Sequence, residues 1–600
     1  MTTLTLLWIA ATCTVILIVS DVMAWGGSGS RILNNLVTEL HQSDIGSDQG
    51  SKEINLFNSR EGWVIFCVDT DGAGGGGINL RLKGSSTGIT MVRGVTGDGS
   101  TYEAMRYLPA GMHTARIQTI GSMRMKSLSV RAIPELLFAG YPGDPNIEEF
   151  GTYDWEYLDA IGLLDNVNVI VSATEGEHIA SWRGRGKRLI QTSGLPGRGD
   201  QSMTIEQMAA HWANQPGMVQ PEFNGIIVDE FDERVADQFV TFAKAITQVT
   251  QLRSGRDFYP YVHGDPALLT KFIRPLMASG CRFAYLRYLK EQPTLNQAKA
   301  EIDRQLVQEL VALEAVVPEV TKRLIVVLGL LSAPPLTLNA NPGASYKVFM
   351  DMQMHSLATS SAARGLYGIE QWISSYADED YLRWAAKLFR HYCIEGSTQR
   401  LTDDPYMLDH IQNPEFEQGL AGWTVRAAEP TSIEARKLDG LGWLQGRWPR
   451  GEQGDTFLWL RRSAYQANRV SQTIQNLEPG RNYSVKVLFA DHGNLSKPHS
   501  NAITVEVEGV EAIANGSFQT VVKKRPSHQN KRFNLEDGYF GFQRFLFQAH
   551  SRTALLTLSD WVSPQESGGE AGQELMVNFI EVEPYLANNL GFRTDPIHAR

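Results

Sequence analysis

The chain has 600 residues and a formal net charge of −11 at pH 7. This length exceeds what a single hydrophobic core serves, and about three domains are expected. The acidic balance and the lack of a basic stripe argue against a nucleic-acid partner. With 42% hydrophobic and 9% aromatic residues, the chain is predicted to be globular.

The N-terminus carries an apolar run from Leu6 to Ser20. It is shorter than the ~20 residues of a membrane-spanning helix, and the small residues Val22 and Ala24 occupy positions that a signal peptidase reads. The pattern predicts a cleaved secretory signal over residues 1–24, with an uncleaved membrane anchor as the alternative. We therefore expect a secreted, periplasmic or cell-surface protein without a membrane partner after cleavage.

Three cysteines remain beyond this segment, at Cys67, Cys281 and Cys393. Their spacing forms neither a disulfide framework nor a set of metal ligands. We expect them to be small, buried core residues.

In the next segment, residues 31–133, the spacing of apolar residues changes from a helical to a strand period near its start. Leu33, Leu36 and Leu40 lie at helical spacing and predict a short helix within residues 31–48. Alternating strands with glycine-rich turns then predict an N-terminal β-sandwich accessory domain over residues 31–133, either sugar-binding or structural. The predicted strands are Glu53–Phe57, Gly62–Val68, Ile78–Leu82, Gly88–Val92, Met105–Leu108, His113–Ile117 and Ser127–Arg131.

After Pro134, apolar runs alternate with helical patterns. Eight candidate strands over residues 134–397 predict a (β/α)8 TIM barrel as the catalytic domain. A doubly wound open sheet is the alternative, but no glycine-rich phosphate loop follows a strand. The predicted strands are Leu136–Tyr141, Asn168–Ala173, Arg188–Thr192, Gly225–Asp229, Phe258–Val262, Arg282–Tyr288, Arg323–Leu328 and Gly365–Glu370.

Residues 398–412 are expected to be a linker, after which strands return. The segment Asn413–Trp423, with the order Asn-Pro-x-Phe-Glu-x-Gly-Leu-x-Gly-Trp, resembles the opening of jelly-roll carbohydrate-binding modules of secreted glycanases. The resemblance also rests on Gln475–Gly480 and on the closing strand around Asn578. It implies a β-sandwich jelly roll over residues 413–586 that binds sugar, another partner or nothing. Candidate sugar-stacking residues, each also a candidate core residue, are Trp443, Trp448, Trp459, Tyr465 and Trp561.

Carboxylates lie where the predicted barrel strands end. The fourth strand ends in Asp229 and Glu230, and the eighth ends in Glu370. TIM barrels build their active sites at these ends. Two carboxylates across a barrel mouth suit glycoside hydrolysis, because one protonates the leaving oxygen while the other attacks or activates water. We predict Glu230 as proton donor, Asp229 as nucleophile or orienting group, and Glu370 as opposing carboxylate or sugar-hydroxyl ligand.

Other residues at strand ends are predicted to bind the substrate. Aromatic faces stack on sugar rings, and an arginine bonds hydroxyls or acidic substituents; barrel packing and a structural histidine are the alternative roles. Asp229, Glu230, His263 and Glu175 could hold a metal, but their spacing does not require one, so we expect no cofactor. The predicted substrate-binding residues are Tyr141, Glu175, His263, Arg287, Tyr288 and Trp372.

The fourth strand resembles two groups of enzymes. Residues 224–229 are similar to the Asp-Gly-x-x-x-Asp strand of α-amylase-like and chitinase-like barrels, although Asn224 replaces the leading Asp. The amylase-like pattern implies that Asp229 is the nucleophile. The pair Asp229–Glu230 also resembles that of β-hexosaminidases, which implies that Glu230 is the acid and Asp229 orients an acetamido group. The assignment between the two acids stays open.

The predicted order of sandwich, barrel and jelly roll resembles multidomain secreted glycoside hydrolases. This resemblance implies an enzyme that cleaves O-glycosidic bonds of a polysaccharide or oligosaccharide. The alternative is a non-catalytic carbohydrate-binding or cell-surface protein with a degenerate barrel. The sequence leaves the oligomeric state open.

Overall fold

A computed structural model describes most of the chain, and strands and helices are numbered below in chain order. The predicted signal segment lies outside the described residues. Within the described residues, no helix is long and apolar enough to cross a membrane. The described residues are 30–48, 50–71, 76–85, 88–94, 101–172, 178–196, 203–372, 374–449, 451–498, 503–524, 533–563 and 565–586.

The first domain is a sandwich of two antiparallel sheets, with strand orders β1-β2-β10-β4-β8-β7 and β3-β9-β5-β6. Alternate residues such as Val64, Phe66 and Ile117 fill the space between the sheets, as expected from the period-two pattern. The strands are β1 (Arg31–Ile32), β2 (Thr38–Asp48), β3 (Ser51–Asn58), β4 (Gly62–Thr70), β5 (Gly76–Leu82), β6 (Ile89–Thr90), β7 (Val92–Arg93), β8 (Thr101–Leu108), β9 (Gly111–Gly121) and β10 (Met125–Ile133).

The helix predicted within residues 31–48 is wrong, because most of this segment is strand β2, paired antiparallel with β10. Leu36 and Val37 instead belong to the hydrophobic core of the barrel. The side-chain amide of Asn34 donates to the carbonyl oxygen of Tyr392 at 2.8 Å. The leucine spacing therefore comes from a turn that docks onto the barrel.

The second domain is a closed barrel of eight parallel strands, which confirms the predicted TIM barrel and excludes the open sheet. Its strands are nearly continuous apolar runs because helices cover their outer face while side chains fill the interior. The strands are β11 (Glu135–Tyr141), β12 (Val169–Ser172), β13 (Arg188–Ser193), β14 (Gly225–Phe231), β15 (Asp257–Val262), β16 (Phe283–Arg287), β17 (Leu324–Gly329) and, after the short hairpin β18 (Ser332–Ala333) and β19 (Leu336–Thr337), β20 (Gly368–Trp372).

The barrel helices begin at polar caps. The Thr204 hydroxyl accepts the backbone N–H of Gln207, whose side chain bonds back to Thr204 in a capping box. Two π-helical segments, Asp303–Val307 and Phe389–Ile394, continue α8 and α11. The α-helices are α1 (Trp155–Ala160), α2 (Leu163–Asn166), α3 (Ile179–Gly184), α4 (Ile205–Ala213), α5 (Pro216–Val219), α6 (Phe239–Leu252), α7 (Pro266–Leu276), α8 (Leu295–Ile302), α9 (Gln308–Val316), α10 (Tyr346–Thr359), α11 (Glu379–Leu388) and, in the third domain, α12 (Leu441–Leu444).

The third domain is a sandwich of a four-stranded sheet, β21-β24-β29-β26, and a six-stranded sheet, β22-β23-β30-β25-β28-β27. The fold class predicted from the sequence is thus observed, with a barrel between two antiparallel sandwiches. The strands are β21 (Thr424–Arg426), β22 (Ile433–Lys437), β23 (Thr456–Arg461), β24 (Arg469–Ile474), β25 (Asn482–Asp491), β26 (Thr504–Glu508), β27 (Val510–Lys524), β28 (Gly538–Ala549), β29 (Ala554–Ser559) and β30 (Glu574–Pro584).

One face of the six-stranded sheet packs against the barrel. Phe457 and Phe542 on this face belong to the same hydrophobic core as the barrel. The Lys347 ammonium on α10 lies 3.1 Å from the Glu583 carboxylate on β30, and both are buried. Removing one partner of a buried ion pair strongly destabilises a protein. This contact therefore helps to hold the third domain against the barrel.

The segment predicted as a linker, residues 398–412, forms no helix or strand. Its side chains Tyr406, Leu408 and Ile411 are nevertheless buried. The Tyr406 hydroxyl also accepts the backbone N–H of Gln292 at 3.1 Å. The segment is therefore packed against the rest of the chain and does not act as a flexible spacer.

Candidate functional site

A bulge at the end of β14 sets the position of the predicted acids. Val228 pairs with Pro260 and Phe231 with Val262, so two residues of β14 lie opposite one of β15. The second of these two, Glu230, has a φ of +67°. Non-glycine residues rarely adopt this conformation, and such backbone strain is concentrated at functional sites. The bulge turns the Glu230 side chain into a pocket at the barrel mouth.

This pocket has a volume of about 350 Å³, near the lower end of the about 300–1,000 Å³ of small-molecule sites. Its charged lining residues, the charged wall, come from the end of β14 and from the residues that follow β14 and β15. Its remaining lining residues, the apolar wall, come from the end of β16 and the residue after it, from the segment after β17 and from the third domain. The lining residues are Glu230, Asp232, Glu233, Arg234, His263, Leu286, Tyr288, Leu331, Leu336 and Trp448.

On the charged wall, Asp232 and Arg234 form a structural pair. The Asp232 carboxylate accepts the backbone N–H of Arg234 at 2.9 Å and its Nε at 2.8 Å. Arg234 Nη2 also lies 3.5 Å from Glu230 Oε1, while the Glu230 side chain remains 35% exposed. Asp232 therefore holds the guanidinium in place, and Glu230 presents its carboxylate to the pocket.

Glu370 on β20 is fully buried beneath this region. The hydroxyl of Tyr261 donates to its Oε1, and its Oε2 has no hydrogen-bond partner among the described residues. Burial raises the pKa of Glu370 to about 8, and the nearby Asp229 charge adds to this shift. A carboxyl that keeps its proton at pH 7 donates a hydrogen bond and is not a nucleophile, and Glu370 is not among the residues that line the pocket.

Aromatic rings border Glu370 at the mouth. Tyr288 stacks on Trp372, with ring centroids 5.4 Å apart, and meets Trp448 edge to face at 6.3 Å. Trp372 also meets Tyr261 edge to face at 6.2 Å. The Tyr288 hydroxyl is buried and has no hydrogen-bond partner in the described part of the chain.

His263 follows β15 on the charged wall. Its backbone N–H donates to the carbonyl oxygen of Phe231 at 3.2 Å, which fixes the start of this loop. Burial, and then the charge of Arg287, lower the pKa of His263. The ring is therefore neutral at pH 7 and can donate or accept a hydrogen bond.

Two predicted substrate-binding residues, Arg287 and Tyr141, are not among the residues that line the pocket. Arg287 points towards the helices, where its Nη2 lies 3.5 Å from Glu309. Tyr141 packs edge to face against Trp155 at 5.7 Å and does not line the pocket. Glu175 lies outside the described residues. Of the predicted set, Glu230, His263 and Tyr288 line the pocket, with Trp372 against Tyr288.

Two residues of the site are not predicted from the sequence to belong to the barrel mouth. Tyr261 is the penultimate residue of β15, and its position across the barrel from β20 is a signal for its contact with Glu370. Trp448 is predicted only as a candidate stacking or core residue of the jelly roll, since a docked interface leaves no local sequence signal. Within the described ranges, no group of three or more His, Cys, Asp or Glu residues is arranged to hold a metal ion.

No protein-family model and no curated protein matches the chain. Among solved structures, an arabinofuranosidase covers 71% of this chain and 98% of its own, with 10% identity and a TM-score of 0.31. A xylanase from Cellvibrio japonicus covers 41% and 91%, with 11% identity and a TM-score of 0.28. A carbohydrate-binding module in complex with β-1,4-galactotriose covers 29% and 97%, with 10% identity and a TM-score of 0.16.

Every TM-score among these structures is 0.31 or lower, so the assignment of a barrel between two sandwiches rests on the strand order itself. These similarities leave the exact family open. Because every identity is 11% or lower, the assignment of chemistry rests on the residues of the pocket.

Proposed function

We propose that the protein is a secreted glycoside hydrolase that cleaves O-glycosidic bonds of a polysaccharide or oligosaccharide at the barrel mouth. The observation that carries this proposal is the strained bulge that turns Glu230 into a pocket whose lining also includes the aromatic rings of Tyr288 and Trp448. Glycosidic bond cleavage requires a pair of carboxyl groups, one of them a proton donor, and an aromatic ring beside the pair can stack on the sugar.

Each acid has a separate role in this proposal. Glu230, the partly exposed carboxyl, protonates the glycosidic oxygen as the bond breaks. Asp229 precedes it in the bulge, and its charge acts on both Glu370 and Tyr261; its role in the proposal is to attack or orient the sugar. Glu370 keeps its proton, is fully buried and does not line the pocket, so its role is to support the site through Tyr261, whose hydroxyl donates to it.

One observation favours a second function, a carbohydrate-binding protein with an inactive barrel. Arg234 lies 3.5 Å from Glu230, and the pocket wall facing Glu230 carries leucine and aromatic side chains. For this second function the pocket binds a sugar without cleaving it, and Asp229 and Glu230 have only a structural role at the end of β14. The two functions are distinguished by whether the protein forms a hydrolysis product.

The test is hydrolysis of a glycan panel by residues 25–600, which begin after the predicted signal segment. Wild type is compared with Glu230→Gln and Asp229→Asn, and with Asp237→Asn as a control, an exposed acid in the short helix after the bulge. Loss of a general acid lowers kcat by about 10²- to 10⁴-fold. We expect this loss for Glu230→Gln at unchanged Tm, and wild-type rates for the control. Sugar binding by wild type without hydrolysis would establish the second function instead.

A further inference from the structure

A loop of the third domain is joined to the barrel by main-chain hydrogen bonds. The backbone N–H of Trp448 donates to the carbonyl oxygen of Thr337 at 2.9 Å, and that of Thr337 donates to Gly446 at 2.8 Å. Thr337 belongs to the hairpin β18–β19, which follows barrel strand β17. Gly446 has a φ of +96°, and a Cβ there would lie 2.3 Å from the carbonyl oxygen of Pro335. Only glycine allows this close approach.

Arg447, which lies between Gly446 and Trp448, anchors the same loop within the third domain. Arg447 is 2% exposed, and its Nη2 donates to Glu415 Oε1 at 3.1 Å. The same Glu415 oxygen accepts the backbone N–H of Phe579 at 2.9 Å. The Arg447 guanidinium also lies over the Phe579 ring, 4.7 Å from its centroid. Both domains therefore fix the position of the Trp448 backbone.

Trp448 is placed differently from another tryptophan of the third domain. Trp459 is 3% exposed, its indole N–H donates to Glu574 at 3.0 Å, and Arg436 covers its ring. Trp459 therefore serves packing. Trp448 is only half-buried, and it lines the pocket that contains Glu230. A ring held this firmly and still open to a pocket is suited to contact a ligand.

We propose that Trp448 is a substrate-binding residue, a sugar-stacking wall that the third domain contributes to the barrel pocket. The third domain is then a component of the active site and not a separately acting module. The proposal rests on the proposed function in that the ligand is a saccharide. It does not require that the saccharide is cleaved.

The pocket also defines which part of a saccharide Trp448 contacts. Leu331 and Leu336 lie on the same wall, so this side accepts the apolar C–H face of a sugar ring. The hydroxyl-bearing edges then face the charged wall with Glu230 and His263. The volume of about 350 Å³ fits a mono- or disaccharide unit, with the remainder of a longer chain extending into solvent.

The test measures binding and turnover of a saccharide from the panel by Trp448→Ala and Trp448→Phe. Leu555→Ala is the control, because Leu555 is a large apolar residue of the same domain, is 38% exposed and does not line the pocket. Binding is measured by calorimetry in the Glu230→Gln background, so that hydrolysis does not interfere. One lost aromatic contact corresponds to an increase of about 2- to 10-fold in Kd. We expect this for Trp448→Ala, with KM raised and kcat nearly unchanged in the Glu230 protein, and no change for Leu555→Ala.

Trp448→Phe, which keeps a ring that can stack, is expected to retain most of the binding; if Trp448→Ala lowers the Tm, Trp448→Leu, which fills the position without a ring, replaces it. Wild-type Kd and KM in a folded Trp448→Ala or Trp448→Leu variant would overturn the proposal while leaving hydrolysis intact. Trp448-dependent binding by a wild type that releases no sugar would sustain the proposal and reject the hydrolase. A wild type that neither binds nor hydrolyses any saccharide would overturn both.

Discussion

The two ends of the barrel both contain buried charges and aromatic rings, but they differ in how completely these groups are paired. At the N-terminal end, the Glu135 carboxylate accepts Trp63 Nε1 at 3.1 Å and the Tyr259 hydroxyl at 2.9 Å. Arg188 and Arg282 both pair with Asp257 there. Trp63 comes from the first sandwich, so this network seals the barrel against that domain.

At the C-terminal end the pairing is incomplete. Glu370 Oε2 and the Tyr288 hydroxyl are buried without a hydrogen-bond partner, as judged from the residues that the structure describes. The backbone of Glu230 is strained beside them. Because unpaired buried polar groups and backbone strain both destabilise a fold, their presence at one end indicates a site shaped for a ligand. The hydrogen-bonded network of Glu135, Arg188 and Arg282 at the other end indicates a structural role.

The largest difference between the two ends of the barrel is expected in the stability of two variants, each of which lacks one arginine. Arg282 precedes β16 and donates to Tyr107 at 2.7 Å as well as to Asp257; Arg287 ends the same strand and has one ion pair at 3.5 Å. Removing one partner of a buried network destabilises by about 3–5 kcal/mol. We expect a loss of this size in the free energy of unfolding for Arg282→Met and a clearly smaller loss for Arg287→Met.

Urea unfolding of the two variants measures this difference, provided that the first sandwich and the barrel unfold together. Equal losses of stability for both arginine variants would contradict this difference, since the two ends of the barrel would then contribute alike to stability.

A smaller effect, and one that depends on pH, is expected for Glu370→Gln. The pKa of Glu370 is raised to about 8 in the folded protein, against about 4.3 in an unfolded chain. Between these values the folded state binds the proton that the unfolded state releases, so stability falls as the pH rises through this window. Glutamine does not titrate, so Glu370→Gln gains stability relative to wild type as the pH rises.

Thermal melts of wild type and Glu370→Gln at intervals from pH 5 to 8.5 measure this gain. It should be on the order of 1 kcal/mol or more, because one pKa unit corresponds to about 1.4 kcal/mol. Asp237→Asn, which changes an exposed acid, serves as the control. A constant difference between the melts of wild type and Glu370→Gln across this range would show that Glu370 is ionised throughout.

The sequence predicts the barrel well because parallel strands buried on both faces are short apolar runs, such as Ile226–Val228 in β14. It predicts the end of this strand as a site because the apolar run stops at Asp229. The bulge is less predictable, since it depends on the pairing with β15 and Glu230 is not a residue that favours a positive φ. The helix expected around Leu36 fails because a docked turn can reproduce helical spacing.

The remaining parts of the site depend on tertiary packing. Arg287 lies at a strand end, but the alternation along β16 directs it to Glu309 and brings Tyr288 to the pocket. Trp448 reaches the pocket only because the third domain docks on the barrel. Trp459 lies in the apolar run Phe457–Leu460, which predicts a strand, whereas the sequence around Trp448 does not indicate which domain its ring contacts.

The most direct test of the site is a structure of Glu230→Gln with a saccharide from the panel bound. We expect a sugar ring in the mouth pocket, with one face against Trp448 and its glycosidic oxygen near residue 230. A sugar bound only on the outer face of the third domain, with an unoccupied mouth in crystals saturated with ligand, would contradict this expectation.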